Sequence, residues 1–451
     1  MDSLTQLRRL GLFDARVPRY TSYPSANHFV ADFSESTVTG WIRAIPQGSK
    51  ISLYIHIPFC RRLCWFCACR TQGTSSAAPV RGYLDVVKQE LDIVAAQLPD
   101  GVTLQRLHWG GGTPTLLQPD MIAELATAVA EVAPFAPDHE FSVEIDPNEV
   151  DGDRLDALVR HGMNRASIGV QDFDPNIQAT IGRPQTFAVT KDVVDGLRER
   201  GVPSLNVDIL YGLPHQTEQR IADSVQKVLT LAPDRVALYG YAHVPWMARR
   251  QSMIPTEALP APEERLELYE TARRLFLWDG YEEIGIDHFA RPGDGLAKAA
   301  TEGTLRRNFQ GYTDDTSDVL LGLGASSISR FPQGFAQNNP STSGYHAAIR
   351  DGHLATTRGH EFTADDRIRE AVIGSLMCQF SIDYAALAKD LNVTPESLAS
   401  LAHGIDEVFP DMLDHDENGL RIRSKARPLT RMIARYFDAY ALNRDGHSGA
   451  I

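Results

Sequence analysis

No apolar run in this 451-residue chain approaches the ~18 residues that a membrane-spanning helix needs. The stretch from Met1 to Tyr20 also lacks the apolar core of a secretion signal and carries Arg8, Arg9, Asp14 and Arg16 instead. The expected address is the cytoplasm, with no membrane partner. Positive charge is in deficit: 44 Lys and Arg against 58 Asp and Glu give a formal net charge of −14. Bulk attraction to nucleic acid is therefore not expected, and an anionic ligand would need a local cluster of arginines. Cysteine is scarce and odd in number, and four of the five lie between positions 60 and 69. Thiols packed that closely are no disulfide framework in a chain of this size. Low-complexity tracts and fixed-period repeats are absent, and 43% hydrophobic with 23% charged residues is the composition of a folded protein.

What is present is an alternation. Short apolar runs recur at Ser52–Ile57, Leu104–Trp109, Phe141–Ile145, Arg165–Val170, Ser204–Leu210 and Arg235–Tyr241, with Glu283–Asp287 as a candidate seventh. Helix-period stretches separate them near 80–98, 118–132, 151–161, 187–200, 217–231 and 262–279. Strand followed by helix, repeated, predicts right-handed βα units and a parallel sheet. Six such units fit an α/β fold of the partial (β/α)6, TIM-like barrel type better than a short doubly wound sheet. From about residue 345 the pattern changes. Residues 364–380, 382–391 and 395–408 read as helices, Asp414–Arg423 as a short turn or hairpin around Asn418-Gly419, and 425–443 as a final helix. The length exceeds one ordinary domain. The expected units are a segment 1–45 across the barrel mouth, a catalytic barrel with its extension over 46–345, and a smaller, mostly helical domain over 346–451. A winged-helix nucleic-acid binder and a packing or substrate-covering domain are the two readings of that last unit. The acidic charge favours the second.

The stretch Tyr54-Ile-His-Ile-Pro-Phe-Cys60-Arg-Arg-Leu-Cys64-Trp-Phe-Cys67-Ala-Cys69 carries the chemistry. Three thiolates at C-x3-C-x2-C spacing, on a loop directly after a strand, can wrap three corners of a cubane cluster and leave one iron open. An open iron suits a small chelating cofactor, whereas a structural site closes every position. The competing zinc knuckle of Cys64, Cys67 and Cys69 fits poorly, because zinc pairs come as two separated C-x2-C units. Cys378 stands alone in an apolar helical context and reads as core. Gly110-Gly111-Gly112, between a strand and a helix, lets backbone approach a ligand closely. Asp208 stands inside the apolar strand Leu205–Leu210, where an unpaired carboxylate is costly. His56, His108, His215, His243 and His288 lie in or after strands and read as one polar wall.

The cysteine spacing, with Phe66 before the third cysteine, resembles that of the radical S-adenosylmethionine (SAM) enzymes. The resemblance implies a [4Fe-4S] cluster on Cys60, Cys64 and Cys67, chelation of its open iron by SAM, and reductive cleavage to a 5′-deoxyadenosyl radical. Along nearly its whole length the chain is similar to the oxygen-independent coproporphyrinogen III oxidase family. The segments that carry this are Arg19–Pro24, Tyr54–Cys69, His108–Thr115, Glu144–Pro147, Gly169–Phe173, Asp208–Pro214, Tyr241–His243, Gly285–Pro292 and Arg307–Thr313. The resemblance places Tyr54, Gly111 and Glu144 on the cluster-bound SAM. It places Phe66, Gly112, Thr113, Gln171, Arg183, Asp208, Ala242 and Ile328 on a second SAM molecule. Cys69, separated from Cys67 by one residue, is expected to turn away from the iron and to be needed for activity without ligating it. Trp65 and Ala68 stand where Tyr and Gly are the usual residues.

The implied reaction is oxidative decarboxylation of two propionates of coproporphyrinogen III to vinyl groups, giving protoporphyrinogen IX in anaerobic haem synthesis. Arg19, Arg291, Arg306 and Arg307 are the candidate cations for the tetrapyrrole. An electron donor and an acceptor are required and neither is identified by the sequence; a monomer is expected. The rival readings are a haem-binding chaperone on the same scaffold, a radical SAM methyltransferase and a structural cluster protein. The first is disfavoured by Cys69 and by the Arg19–Pro24 segment.

Overall fold

The computed structural model describes residues 3–441 and 449–451. Most of the expected strands alternate apolar and polar side chains, and that period of two builds the barrel. Strands β1 (Lys50–Ile57), β2 (Thr103–Gly111), β3 (Phe135–Ile145), β4 (Arg165–Gln171), β5 (Ser204–Tyr211) and β6 (Arg235–Gly240) lie side by side in that order, all parallel. Each is followed by a helix: α1 (Ala78–Ala95), α2 (Pro119–Val132), α3 (Gly152–Arg160), α4 (Phe187–Glu199), α5 (Glu218–Thr230) and α6 (Pro262–Trp278). This is the partial (β/α)6 barrel that the alternation predicts. One set of strand side chains, including Ile51, Leu53, Ile55, Leu107, Trp109, Phe141, Val143 and Val207, is buried in one apolar core with Leu84, Leu125, Leu158 and Leu197 of the helices. Each such side chain contributes about 1.5–3 kcal/mol on burial. The alternate set, including Ser52, Arg106, His108, Glu140, Glu144, Ser167, Asn206, Asp208 and Tyr239, lines an inner cavity of about 170 Å³.

At the N-terminal ends of the strands this interior is plugged by charge. Arg165 lies 2.9 Å, Arg106 3.3 Å and Arg235 3.9 Å from Glu140, and Arg235 also pairs with Asp294 at 2.6 Å. Burial alone would raise the Glu140 carboxyl; the three guanidinium groups outweigh it and hold it at about 2. The plug leaves the C-terminal rim as the open side, where barrel enzymes carry their sites.

Four expected elements differ. The helix expected over 395–408 is two, 395–401 and 405–408, parted at Gly404 (φ +83°). The helix expected from 382 begins at 384 because residues 381–383 pair as a strand. Glu283–Asp287 is no seventh parallel strand. Residues 282–284 and 288–290 form an antiparallel hairpin, and its second arm runs antiparallel to β6. The final helix over 425–443 is also interrupted: a 3-10 helix spans Ser424–Leu429 and an α-helix Thr430–Tyr436. Pro428 lacks the N–H that a continuous α-helix would use. Residues 442 and 443 lie outside the described residues. On the other flank Leu320–Leu323 pairs in parallel with β1, and antiparallel strands at 328–331, 334–338, 356–361 and 30–31 extend the sheet to thirteen. The sheet thus continues through Glu361, past the change of pattern at 345.

Beyond it, helices 364–379, 384–391, 395–401 and 405–408 pack with a three-stranded sheet of 381–383, 419–422 and 413–415. Their apolar cluster includes Leu7, Leu12, Val17 and Tyr20. The N-terminal segment is therefore divided: its first part joins the C-terminal helices, and Val30–Ala31 joins the sheet. Helix 395–401, Pro-Glu-Ser-Leu-Ala-Ser-Leu, holds no Lys or Arg to meet a phosphate backbone. Among the described residues no helix is long and apolar enough to cross a membrane.

Candidate cluster and cofactor site

The cysteine loop leaves β1 at Ile57 and is fastened at its base. Phe59–Cys60 pairs in parallel with Gln72–Gly73, closing the loop on itself. The backbone N–H groups of Gly112 and Thr113 donate to Ile57 O (2.8 Å) and Phe59 O (2.7 Å), and Trp65 N–H donates to Ile181 O (2.9 Å). Trp65 and Phe66 pack on Ile177, Ile181, Tyr241 and Ile254. These contacts explain the glycine run. A Cβ at Gly112 would sit 2.5 Å from Phe59 O and 2.8 Å from Ile57 O, and one at Gly111, where φ is +110°, would enter the His56 ring.

Cys60, Cys64 and Cys67 lie within each other's electrostatic reach. Burial raises Cys60 to about 11, eased by the Thr113 hydroxyl, and raises Cys64 against the pull of Arg183. Cys67 is drawn below its ordinary value by the Cys69 thiol hydrogen-bonded to it. The Cys69 thiol lies against the Cys67 sulfur, and its backbone N–H lies 3.4 Å from the same atom. Among the described residues no three Cys, His, Asp or Glu side chains converge as they would around a single ion. A cubane asks for something else, one thiolate for each of three corners, and three neighbouring thiols that do not share a point meet that demand.

Beside the loop stands a connected polar wall. The Tyr54 hydroxyl lies 2.9 Å from His56 Nδ1, His56 Nε2 lies 3.1 Å from Arg70 O, and the Tyr54 ring stacks on His108 at 5.7 Å. His108 Nε2 is 3.4 Å from Glu144 Oε1, and Gly111 N–H donates to Glu144 Oε2 at 2.9 Å. Burial raises the Glu144 carboxyl; His108 and Gly111 outweigh it and hold it below its ordinary range. Although deep in the protein, 40% of its side chain is open to the inner cavity, so a ligand ammonium can reach a carboxylate already ionised. Arg183 pairs with Asp146 at 3.2 Å, donates to Gly169 O at 3.0 Å and lies 3.5 Å from Cys64 Sγ. Its Nε is buried with no partner, an orphaned donor that an anionic group would satisfy. Asp208 accepts from Asn206 (2.7 Å) and Ser167 (3.3 Å), and burial raises it. Ala242 O and Phe66 O accept from the same amide, Gln251 Nε2. Gln171 (φ +71°) ends β4, and Ile328 opens the strand two places from β1. The donors present thus fit both a cluster and a ligand that carries an ammonium and a carboxylate.

The five histidines do not form one wall. His108 and His288 line the inner cavity and His56 supports Tyr54, but His243 bonds Tyr241 and Thr256 and His215 is exposed on a turn.

A second cavity, about 770 Å³, lies between the rim of β5 and β6, helix α6, the N-terminal segment and the C-terminal helices. Asp287 faces it while His288, bonded to Asp287 at 2.7 Å, faces the inner cavity, so the two share a wall. Two of its acids are engaged by arginines: Glu283 with Arg273 and Arg427, and Asp287 with Arg307. Arg19, Arg265 and Arg431 also line it, and among the described residues none pairs with a carboxylate. Arg19 donates to Gly240 O (2.7 Å), Arg265 to Tyr241 O (2.8 Å), and Arg431 to carbonyls of residues 17, 18, 449 and 450. Burial and then the Arg19 charge lower Arg431 to about 9, and burial lowers Arg265. Of the four candidate cations, Arg19 and Arg307 are here. Arg291 and Arg306 are elsewhere: Arg291 covers Tyr281 and pairs with Asp279, and Arg306 meets Asp318. Arg265 and Arg431 carry no sequence signal, because each reads as an ordinary charge on a helix.

Residues 54–228 match the radical SAM superfamily. The oxygen-independent coproporphyrinogen III oxidase of Paracoccus denitrificans is 62% identical over 451 residues, covering all of both chains. The chain belongs to the oxygen-independent coproporphyrinogen III oxidase family. A second such oxidase, from Cereibacter sphaeroides, is 57% identical over 440 residues and covers 98% of each chain. The solved coproporphyrinogen III oxidase of Escherichia coli, a radical SAM enzyme, superposes with a TM-score of 0.89 at 37% identity, covering 95% of this chain and 100% of that one. Membership brings a [4Fe-4S] cluster and SAM as cofactors.

Proposed function

We propose that this chain decarboxylates two propionate side chains of coproporphyrinogen III to vinyl groups, releasing protoporphyrinogen IX. The observation that carries the reading is the set of three half-buried arginines, Arg19, Arg265 and Arg431, that line the 770 Å³ cavity and have no carboxylate partner among the described residues. Excess cations held out of water are costly unless an anionic ligand arrives, and a tetrapyrrole with four carboxylates is such a ligand. When bound, the cluster and SAM supply a 5′-deoxyadenosyl radical, the hydrogen-abstracting agent for a propionate β-carbon, which then loses CO2 and one electron.

In this reading Cys60, Cys64 and Cys67 hold the cluster, while Glu144 and Gly111 orient the SAM ammonium beside Tyr54. Arg183, with its unpartnered Nε, takes the carboxylate of a second SAM, whose other contacts are Phe66, Gly112, Thr113, Gln171, Asp208, Ala242 and Ile328. Arg19 and Arg265 have N–H groups left for the propionates. Arg431 acts as a clasp, since its guanidinium joins residues 17–18 to residues 449–450 beside the cavity. Residues 3–23 and the C-terminal helices thereby exclude water from the substrate. The protein acts in the cytoplasm as a monomer, served by an electron donor and an acceptor.

The test is anaerobic reconstitution followed by SAM, dithionite and coproporphyrinogen III. CO2 and protoporphyrinogen IX are the expected products. Arg265→Met should raise the KM for the tetrapyrrole about tenfold to hundredfold, the cost of losing a charged hydrogen bond. Cleavage of SAM with no CO2 ends the reading.

A further inference from the structure

The charge of this chain is not evenly spread. No Asp or Glu occurs between Lys50 and Leu84, nor between Arg235 and Thr256, although the chain as a whole carries −14. The fold brings these two stretches together on the outside of the cysteine loop. Arg250 donates to Cys69 O (3.0 Å) and to Thr71 (2.9 Å), and Gln251 donates to Phe66 O (2.7 Å). Arg61, Arg62, Ala68, Cys69 and Arg70 of the loop are exposed, as is Arg249 beside Arg250. Next to them Met247 and Met253 are 58% and 57% exposed, among the few large apolar side chains left in water. The carboxylates at this face are committed: Asp146 to Arg183 at 3.2 Å, and Glu149 to Arg61 at 3.8 Å, with Arg62 beside it. Arg62, Arg70 and Arg249 have no ion-pair partner among the described residues.

We propose that this face is the docking surface for a small, acidic, one-electron carrier protein that reduces the cluster. The inference rests on the reading that the cysteine loop holds a cluster needing one electron for each SAM cleaved. Electron transfer requires close approach, and this face carries the cysteine loop itself, in which Cys60 and Cys67 are half-buried. An acidic partner is repelled by most of a −14 chain and attracted here, so charge selects both the partner and its orientation. Exposed methionines adapt to the surface they meet and shed water from the contact. A second copy of this chain is a poor occupant, since it would bring the same net negative charge and the same basic patch.

The experiment uses reconstituted holoenzyme and a flavodoxin hydroquinone as the probe, with cluster bleaching followed in a stopped-flow instrument. The wild type should be reduced at a rate that falls steeply with ionic strength. In the double variant Arg62→Glu, Arg249→Glu that rate should fall at least about tenfold and lose most of its salt dependence. Reduction by dithionite should stay within about twofold, because a small reductant needs no docking surface. The neutral variant Arg62→Gln, Arg249→Gln should fall between, and unchanged iron content shows that neither variant has lost the loop. Equal flavodoxin rates in wild type and both variants overturn the proposal, as does a wild-type dimer that the Glu variant separates. Failure of dithionite-reduced enzyme to cleave SAM would count against the function itself and leaves the docking rates readable.

Discussion

Glu144, near the C-terminal end of β3, accepts the backbone N–H of Gly111 from the neighbouring strand at 2.9 Å. That bond ties a carboxylate facing the inner cavity to the backbone that closes the cysteine loop, because Gly112, the next residue, is itself bonded to Ile57 O. The ligand side of the site and the cluster side are therefore one piece of structure.

Replacing Glu144 with Gln keeps an acceptor for Gly111 and removes the charge offered to an ammonium. SAM affinity should fall about tenfold to hundredfold, the worth of a charge-assisted hydrogen bond. Equilibrium dialysis of SAM against the reconstituted enzyme measures it, with iron content unchanged. Wild-type affinity would remove Glu144 from the SAM site.

Gly112→Ala should act on the other side. Its Cβ would press on two backbone carbonyls, which cannot rotate away as a side chain can. Overpacking of this kind costs about 1–3 kcal/mol. Reduced iron incorporation and a lower Tm are expected together; full iron content with a wild-type Tm would mean that the loop base yields freely.

Cys69→Ser separates ligation from activity. The thiol engages the Cys67 sulfur, so the serine variant should still take up a full complement of iron yet lose decarboxylation. Loss of iron would identify Cys69 as a ligand. Electron paramagnetic resonance of the reduced cluster, compared with wild type, reports whether the environment of Cys67 has changed.

A buried carboxyl far from the chemistry sets part of the pH dependence of stability. Glu90 is 1% exposed and bonds Gly324 N–H (2.7 Å), Asn338 (2.6 Å) and Tyr345 (2.7 Å), yet burial raises it from 4.5 to about 7. Its folded form binds the proton more tightly than its unfolded form. The stability this supplies is complete below pH 4.5 and is lost as the pH rises to about 7, some 3 kcal/mol in all. Urea unfolding of Glu90→Gln across that window should lack this loss. A wild-type slope in the variant would show that other groups carry it.

Much of the fold was legible in the sequence for a local reason. The six parallel strands and their helices announce themselves through periods of two and 3.6, and those patterns depend on neighbours along the chain. The hairpin at 282–290 was not legible, since a short run with Gly285 inside it does not say whether the next arm returns antiparallel. Nor was the interruption of the last helix anticipated, although Pro428 marks it. The histidines were over-read for a similar reason: being near the end of a strand does not say which way a ring points, and His215 points to solvent.

The cysteine loop shows where that boundary falls. Three cysteines at C-x3-C-x2-C spacing, their aromatic residue and the adjoining Cys69 lie within ten consecutive residues, so spacing alone pointed to cluster chemistry, and similarity along the chain determined the family. Which cations gather over the barrel rim was decided only by the tertiary structure. Arg19 comes from the N-terminal segment, Arg265 from α6 and Arg431 from the last helix, hundreds of positions apart. The basic, methionine-bearing face around the loop has the same origin, in two acid-free stretches that meet through Arg250 and Gln251. Local spacing reports what one loop can bind. Convergence of distant side chains depends on how whole elements pack, and no short stretch of sequence records it.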